Sequence, residues 1–199
     1  MKQVTWVPTF SGNHVSLLDP RVETIDIKDI ARGLSSQPRY NGQTEPPYSI
    51  AQHCVLVAEH CPDALKIHGL LHDAEEAYVG HTVRPYKQFS VDRSIGGIAD
   101  LIAYKLRRCV YATLKIDYPT EQEWWAVKHV HDRVWFTEIV ALFPDDDPNE
   151  WSADRMAGDS YPCKDFHVWG RRKAYARWLA TLYELLGRIE GQKLETSDG

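Results

Sequence analysis

The chain has 199 residues, of which 43% are hydrophobic and 26% charged, and its formal net charge is −5. This length predicts one domain with a sizeable core. Seven Trp and ten Tyr residues argue against intrinsic disorder, and the negative charge argues against a nucleic-acid polymer as a partner. We find no apolar run of about 18 residues and no secretory signal. We therefore expect no membrane contact and a cytoplasmic location.

The first part of the chain predicts a small β element followed by short helices. β-forming residues flank Ser11–Asn13, a pattern typical of a hairpin. A short helix is predicted from Asp26 to Leu34, and Arg39–Pro47 has the Pro, Gly and Asn content of a loop. Ser49 is a suitable N-cap for the next helix.

The rest of the chain predicts longer helices separated by polar loops. One helix begins at Pro62 and ends at Gly80, and another covers Ile95–Leu114. Thr120 and Glu123 form a capping-box pattern at the start of a helix that reaches about Phe143. After a polar loop that ends at Asp165, the final amphipathic helix is predicted over Phe166–Ile189.

These elements predict an all-α fold, a helical bundle with a small N-terminal β-hairpin. We find no internal repeat or Gly/Ser-rich linker, so we expect a single domain over residues 1–190. Residues 191–199 are expected to form a flexible tail. The four cysteines have no CxxC spacing, which favours reduced thiols in a cytoplasm.

Histidines are concentrated in one part of the sequence, since five of the nine lie within residues 53–81. His72, Asp73 and Glu76 are spaced so that one helical turn presents an imidazole and two carboxylates together. Leu70 and Leu71 precede them, so this turn is expected to be partly buried. Such a cluster requires a cation or a hydrogen-bond network, and a divalent metal supplies that cation.

Two further candidate ligands lie on neighbouring predicted helices. His53 is on the preceding helix, which a short connection would place antiparallel to the helix of His72. Asp132 lies in an apolar stretch of a later helix, where a carboxylate needs a partner. The His-Asp doublet alone is a weak signal, because two such doublets occur in this chain.

In this order, the residues resemble the signature of the HD-domain metal-dependent phosphohydrolases. Tyr48–Leu56 resembles the first-His helix of that family, Gly69–Tyr78 its doublet helix, and Val127–Asp132 its last-Asp helix. Thr9–Gly12 and Arg39-Tyr40 resemble a narrower branch of the family. That branch contains small bacterial 5′-deoxynucleotidases, their prophage-encoded relatives and phage deoxyadenosine triphosphate triphosphohydrolases.

The resemblance implies a role for each matching residue. It implies a single divalent metal bound by His53, His72, Asp73 and Asp132. Glu76 would orient or deprotonate the attacking water, Arg39 and Lys87 would hold phosphate, and Tyr40 would stack on the base.

Two positions depart from the family pattern. His81 stands where the deoxynucleotidases usually have an Asp that helps to read the sugar. His129 stands where some relatives have a Lys, with Lys128 one position away. We treat His81 and His129 as candidate substrate contacts.

The chemistry of the residues agrees with this assignment. Two His and two Asp form a mixed nitrogen and oxygen site that suits Mn²⁺, Co²⁺, Fe²⁺, Ni²⁺ or Zn²⁺. Additional Mg²⁺, Mn²⁺ or Co²⁺ would accompany the substrate phosphates. The planar fork of Arg39 suits bidentate phosphate binding.

The expected function is 5′-dephosphorylation of 2′-deoxynucleoside monophosphates. One alternative is a deoxynucleoside triphosphate triphosphohydrolase that releases tripolyphosphate, and another is a non-catalytic nucleotide-binding module. Hydrolysis of a guanosine alarmone or a cyclic nucleotide is disfavoured by the position of Arg39 before the first His. The resemblance also implies a homo-oligomer, a dimer or a hexamer.

Overall fold

The structure, a computed structural model, describes residues 4–83, 95–146, 161 and 166–197. This part of the chain is mostly helical, with one small antiparallel sheet at the N-terminus. The strands and α-helices are β1 (Trp6–Pro8), β2 (His14–Ser16), α1 (Ile27–Ser36), α2 (Ile50–His60), α3 (Lys66–Leu71), α4 (Glu76–Val79), α5 (Ile95–Leu114), α6 (Glu121–Leu142) and α7 (Arg171–Ser197). Single 3₁₀ turns lie at Val22–Thr24, Tyr40–Gly42 and Asp63–Leu65.

The predicted hairpin is confirmed, and it is attached to α1. Trp6 pairs with Ser16 in the antiparallel register, and Gly12 has the positive φ of 90° that the turn requires. Ser11 donates from its backbone N–H to Asp29 Oδ1 at 3.0 Å and from its hydroxyl to Oδ2 at 2.6 Å. The turn is therefore fastened to α1 by one carboxylate.

Three predicted helix starts are confirmed by their caps. The side chain of Asp26 accepts from Lys28 N at the start of α1, and Ser49 accepts from Gln52 N at the start of α2. Thr120 and Glu123 form the complete capping box of α6. These side chains satisfy backbone N–H groups that have no partner within the helix.

Two helix predictions differ from the structure. The segment Pro62–Gly80 is not one helix, because α3 ends at Leu71 and α4 begins at Glu76. Between them the backbone bonds tighten to i→i−3 spacing, as in Ala74 N to Leu71 O at 3.1 Å. The last helix begins at Arg171 rather than Phe166 and continues to Ser197, beyond the predicted end at Ile189.

Helix α2 lies at the centre of the fold, with eight of its residues buried. Its contact with α3 is close, because a Cβ atom built on Gly69 would lie 3.0 Å from Ala58 Cα and 2.8 Å from Cys61 Sγ. Trp178 of α7 is fully buried in the same core. The glycine at this contact allows the backbone of α3 to approach α2 closely.

Within the described residues, none of the helices combines the length and the apolar character that a bilayer crossing requires.

Candidate metal centre

Three imidazoles and one carboxylate converge between α2, the end of α3 and α6. His53, His72, Asp73 and His131 each offer a ligand atom, and these atoms all lie within 4.8 Å of one another. The ring centroids of the three histidines are 5.1 to 5.2 Å apart. The tight contact between α2 and α3 brings His53 and His72 together, although 19 residues separate them in sequence.

Hydrogen bonds fix the orientation of two of these rings. His53 Nδ1 lies 2.6 Å from Glu138 Oε1, and His72 Nδ1 lies 2.8 Å from the carbonyl oxygen of Gly69. A carboxylate and a carbonyl only accept, so each Nδ1 carries the proton and donates it. In the neutral rings, each Nε2 is therefore left with a lone pair.

These lone pairs face each other and a carboxylate oxygen. The Nε2 atoms of His53 and His72 are 3.2 Å apart. Asp73 Oδ2 lies 3.0 Å from Nε2 of His72 and 3.7 Å from Nε2 of His53. Two buried nitrogen acceptors and one partly buried carboxylate oxygen at these distances repel one another unless a cation lies among them.

A proton does not serve as that cation on His53 at neutral pH. Burial, with the nearby charge of Arg39, lowers the pKa of His53 to about 4. Burial and Lys128 likewise hold the pKa of His131 well below its usual value. The donor set of imidazole nitrogens and a carboxylate oxygen therefore fits a divalent transition metal.

Helix α6 offers a second candidate ligand beside the expected one. We predicted Asp132, but the structure groups His131 with the other three side chains. Asp132 Oδ1 lies 3.0 Å from His131 Nδ1 and accepts its proton, which orients the ring. Adjacent helical residues point about 100° apart, so the two do not face the centre equally. Ligation by Asp132 itself stays a prediction.

Glu138 is a buried carboxylate that the sequence analysis missed. Its Oε1 accepts from His53 Nδ1 and from the Tyr48 hydroxyl at 2.7 Å. Its Oε2 accepts from the Tyr40 hydroxyl at 2.8 Å and lies 3.2 Å from Arg39 Nε. Burial alone would raise the pKa of Glu138, but Arg39 and His53 hold it at about 2.

A sequence signal for Glu138 exists. It is seven residues after His131, so two helical turns place both on one face of α6. It is also the acidic residue in the apolar run Val134–Leu142. A carboxylate in such a setting needs a partner, as Asp132 does on the same helix.

The Arg39–Tyr40 loop lies against the same carboxylate. Arg39 is 4% exposed, and its Nε has no hydrogen bond in the described part of the chain, because its contact with Glu138 is an ion pair without hydrogen-bond geometry. Tyr40 and Asn41 have φ of 53° and 52°, a left-handed conformation that costs energy in non-glycine residues. The Tyr40 ring contacts Phe143 edge-on, with centroids 5.3 Å apart.

The expected base, Glu76, is buried and held on two sides. Its Oε2 accepts from His81 Nδ1 at 2.8 Å. Gln37 Nε2 donates to the Glu76 carbonyl at 2.9 Å, and Gln37 Oε1 accepts from His81 N at 3.2 Å. Glu76 N donates to the carbonyl of Asp73, so one tight turn carries a metal ligand and the candidate base.

The remaining predicted site residues are placed as follows. His129 is exposed on α6, whereas Lys128 Nζ approaches His131 Nδ1 at 3.5 Å. Lys87, the predicted second phosphate-binding cation, lies outside the described residues. Among the described residues, the structure thus brings together His53, His72 and Asp73 as predicted, and it places His81 beside Glu76 rather than beside the imidazoles.

Comparison with known proteins gives partial similarity to uncharacterized chains. No protein-family model matches the sequence. The uncharacterized protein RCAP_rcc00048 of Rhodobacter capsulatus is 40% identical over 91 residues, which cover 41% of this chain and 46% of that protein. The uncharacterized protein YfdR of Escherichia coli K12 is 36% identical over 89 residues, 45% of this chain and 50% of that protein. The chain spans about half the length of these curated relatives.

Proposed function

We propose that the protein is an HD-type, metal-dependent phosphohydrolase that removes the 5′-phosphate from 2′-deoxynucleoside monophosphates. One observation carries the proposal. The Nε2 atoms of His53 and His72 face each other at 3.2 Å, and Asp73 Oδ2 lies 3.0 Å from the second of them. This arrangement supports a divalent cation among them, which is the chemistry that the family resemblance implies.

The donor set supports a transition metal, held by His53, His72 and Asp73 together with His131 or Asp132. Imidazole nitrogens with one or two carboxylate oxygens suit Mn²⁺, Co²⁺, Fe²⁺, Ni²⁺ or Zn²⁺ better than Ca²⁺. When bound, such an ion supplies Lewis-acid polarisation of the phosphoryl group and acidifies water.

Binding of the substrate phosphate is assigned to Arg39. Burial lowers the pKa of its guanidinium, but the charge of Glu138, with a smaller effect of Asp73, holds that pKa above its usual value. Its Nε hydrogen remains without a hydrogen-bond partner in the described chain. A planar guanidinium at this place would donate to the equatorial oxygens, on which charge builds up during phosphoryl transfer.

The role of general base, which accepts the proton of the attacking water, is assigned to Glu76. His81 donates to Oε2 and holds the carboxylate in one orientation. The Glu76 carboxylate would accept the proton, a contribution of about 10² to 10⁴-fold for a general base. Tyr40 at the base and Lys87 at the phosphate stay predictions from the sequence. Self-association and a cytoplasmic location stay predictions as well.

A nucleotide screen tests the proposal. The protein is loaded with Mn²⁺ or Co²⁺ and offered deoxynucleoside and ribonucleoside monophosphates, deoxynucleoside triphosphates, and a cyclic nucleotide. We expect phosphate release from the deoxynucleoside monophosphates. Release of tripolyphosphate from triphosphates alone would replace the proposal with the triphosphohydrolase. Metal and nucleotide binding without any hydrolysis would replace it with a non-catalytic module.

A further inference from the structure

Two parts of the proposed active site meet at one carboxylate. We propose that Glu138 is a positioning residue that couples the metal ligand His53 to the Arg39–Tyr40 loop. The identity of the substrate rests on the proposed function. The coupling itself involves only the metal centre and the loop.

The first arm of the coupling runs to the metal centre. Glu138 Oε1 accepts the Nδ1 proton of His53 at 2.6 Å, which commits the ring to the tautomer with a free Nε2. The ring is completely buried and Glu138 is 0% exposed, so water cannot replace this acceptor. Loss of the carboxylate acceptor would leave the His53 ring without the bond that aims Nε2 at His72 and Asp73.

The second arm runs to the loop. Glu138 Oε2 accepts from the Tyr40 hydroxyl and lies beside Arg39 Nε. These contacts hold a segment whose residues Tyr40 and Asn41 are in the left-handed region. Such strained backbone persists only where surrounding contacts determine it. The loop conformation that places the Arg39 guanidinium therefore depends on Glu138 Oε2, while Oε1 of the same carboxylate orients His53.

The acceptor count makes the coupling testable with a single isosteric change. Each Glu138 oxygen faces two donor groups, from His53 and Tyr48 at Oε1 and from Tyr40 and Arg39 at Oε2. A glutamine has one acceptor oxygen and one NH₂ group, which only donates. In either orientation of the amide, Glu138→Gln places donors against either the His53 side or the Arg39–Tyr40 side.

The experiment measures Mn²⁺ affinity by calorimetry and the hydrogen exchange of residues 39–48 with and without Mn²⁺. The full-length wild type is compared with Glu138→Gln, Tyr40→Phe and Tyr48→Phe. In the wild type, we expect Mn²⁺ to slow exchange in this segment, where Arg39 N donates to Tyr48 O and Gly42 N to Arg39 O. In Glu138→Gln, we expect about 10 to 100-fold weaker Mn²⁺ binding and loss of the Mn²⁺-dependent protection.

The tyrosine variants separate the two arms. Tyr40→Phe removes one donor at Oε2, so it should reduce the protection of the loop while Mn²⁺ affinity changes by less than in Glu138→Gln. Tyr48→Phe is the matched control. It removes a hydroxyl group that donates to the same carboxylate, but it leaves His53, Tyr40 and Arg39 in contact with Glu138. We expect Tyr48→Phe to retain the Mn²⁺-dependent protection.

Each outcome decides the proposal. Folded Glu138→Gln with wild-type Mn²⁺ affinity, or with unchanged Mn²⁺-dependent protection of residues 39–48, would overturn it. If Glu138→Gln does not fold, Tyr40→Phe decides, and full protection in that variant overturns the coupling. Absence of Mn²⁺ binding by the wild type overturns it as well. Wild-type coupling without hydrolysis of any nucleotide would contradict only the proposed phosphohydrolase.

Discussion

Two buried carboxylates show how the same group serves different purposes in this protein. Asp29 in α1 receives both of its hydrogen bonds from Ser11, the turn residue of the hairpin. Glu138 in α6 accepts hydrogen bonds from α2 and from the segment that precedes α2. The Asp29 contact fastens one element to another. The Glu138 contacts connect a candidate metal ligand to the loop that carries the candidate phosphate-binding arginine.

The difference lies in what depends on each carboxylate. Removing the Asp29 contacts would free a hairpin whose exposed side chains include Trp6 and Phe10. Removing the Glu138 carboxylate would leave the donors of His53, Tyr48 and Tyr40 without this acceptor and the buried Arg39 without this ion-pair partner. Buried donors without an acceptor are costly. Buried carboxylates that join several chain segments are therefore the stronger indication of a functional site.

Glu76→Gln tests the proposed base. The substitution keeps the shape of the side chain and removes its ability to accept a proton, so kcat should fall by about 10² to 10⁴-fold. Mn²⁺ affinity should remain near that of the wild type, because Glu76 is not among the grouped ligands. Steady-state kinetics and calorimetry check the two halves, and hydrolysis at the wild-type rate would exclude Glu76 as the base.

Asp132→Asn tests how Asp132 acts on the metal centre. If the carboxylate acts by orienting His131, Mn²⁺ binding should weaken by about 10 to 100-fold, the usual effect of losing such a partner. His131→Gln is the matched comparison on the same helix. A larger loss in Asp132→Asn than in His131→Gln would identify Asp132 as the direct ligand, and unchanged affinity in both variants would remove α6 from the site.

Gly69→Ala tests the close contact between α2 and α3. The added methyl group would lie 3.0 Å from Ala58 Cα, so the free energy of unfolding should fall by about 1 to 3 kcal/mol. Gly187→Ala in α7 is the control, because nothing lies within 4 Å of its Cβ position. That variant should gain about 0.5 to 1 kcal/mol from helix propensity. Denaturant unfolding measures both changes, and equal effects would contradict the close contact.

Ser11→Ala tests the structural carboxylate. It removes the hydroxyl hydrogen bond to Asp29, so stability should fall by about 0.5 to 1.5 kcal/mol. Mn²⁺ affinity should not change, since the hairpin does not contribute to the grouped ligands. Thermal unfolding with and without Mn²⁺ separates the two effects. A change in metal affinity would show that the two carboxylates are not independent.

Local signals in the sequence predicted much of the fold. The caps at Ser49 and Thr120 and the Gly12 turn lie within a few residues of the groups they satisfy, so the sequence displays them directly. The doublet at His72 and Asp73 was found for the same reason. The break after Leu71 was missed, because no proline or glycine marks it and the segment continues in helix-like turns with i→i−3 bonds.

The missed parts of the site depend on distant pairs. Glu138 contacts His53 and Tyr40, which are 85 and 98 residues earlier in the chain, and no local pattern joins them. The choice between His131 and Asp132 depends on the rotation of α6 against α2, a difference of about one residue in helical phase. Sequence spacing predicts which segments meet, whereas packing decides which atoms of those segments face one another.

The most direct test is a calorimetric titration of the metal-free chain with Mn²⁺, repeated with Asp73→Asn. If the Nε2 atoms of His53 and His72 bind a cation together with Asp73, the wild type should bind about one ion per chain. The Asp73→Asn variant should then bind Mn²⁺ much more weakly. Absence of saturable binding by the wild type, or equal binding by the two proteins, would contradict the metal centre on which the proposed hydrolysis depends.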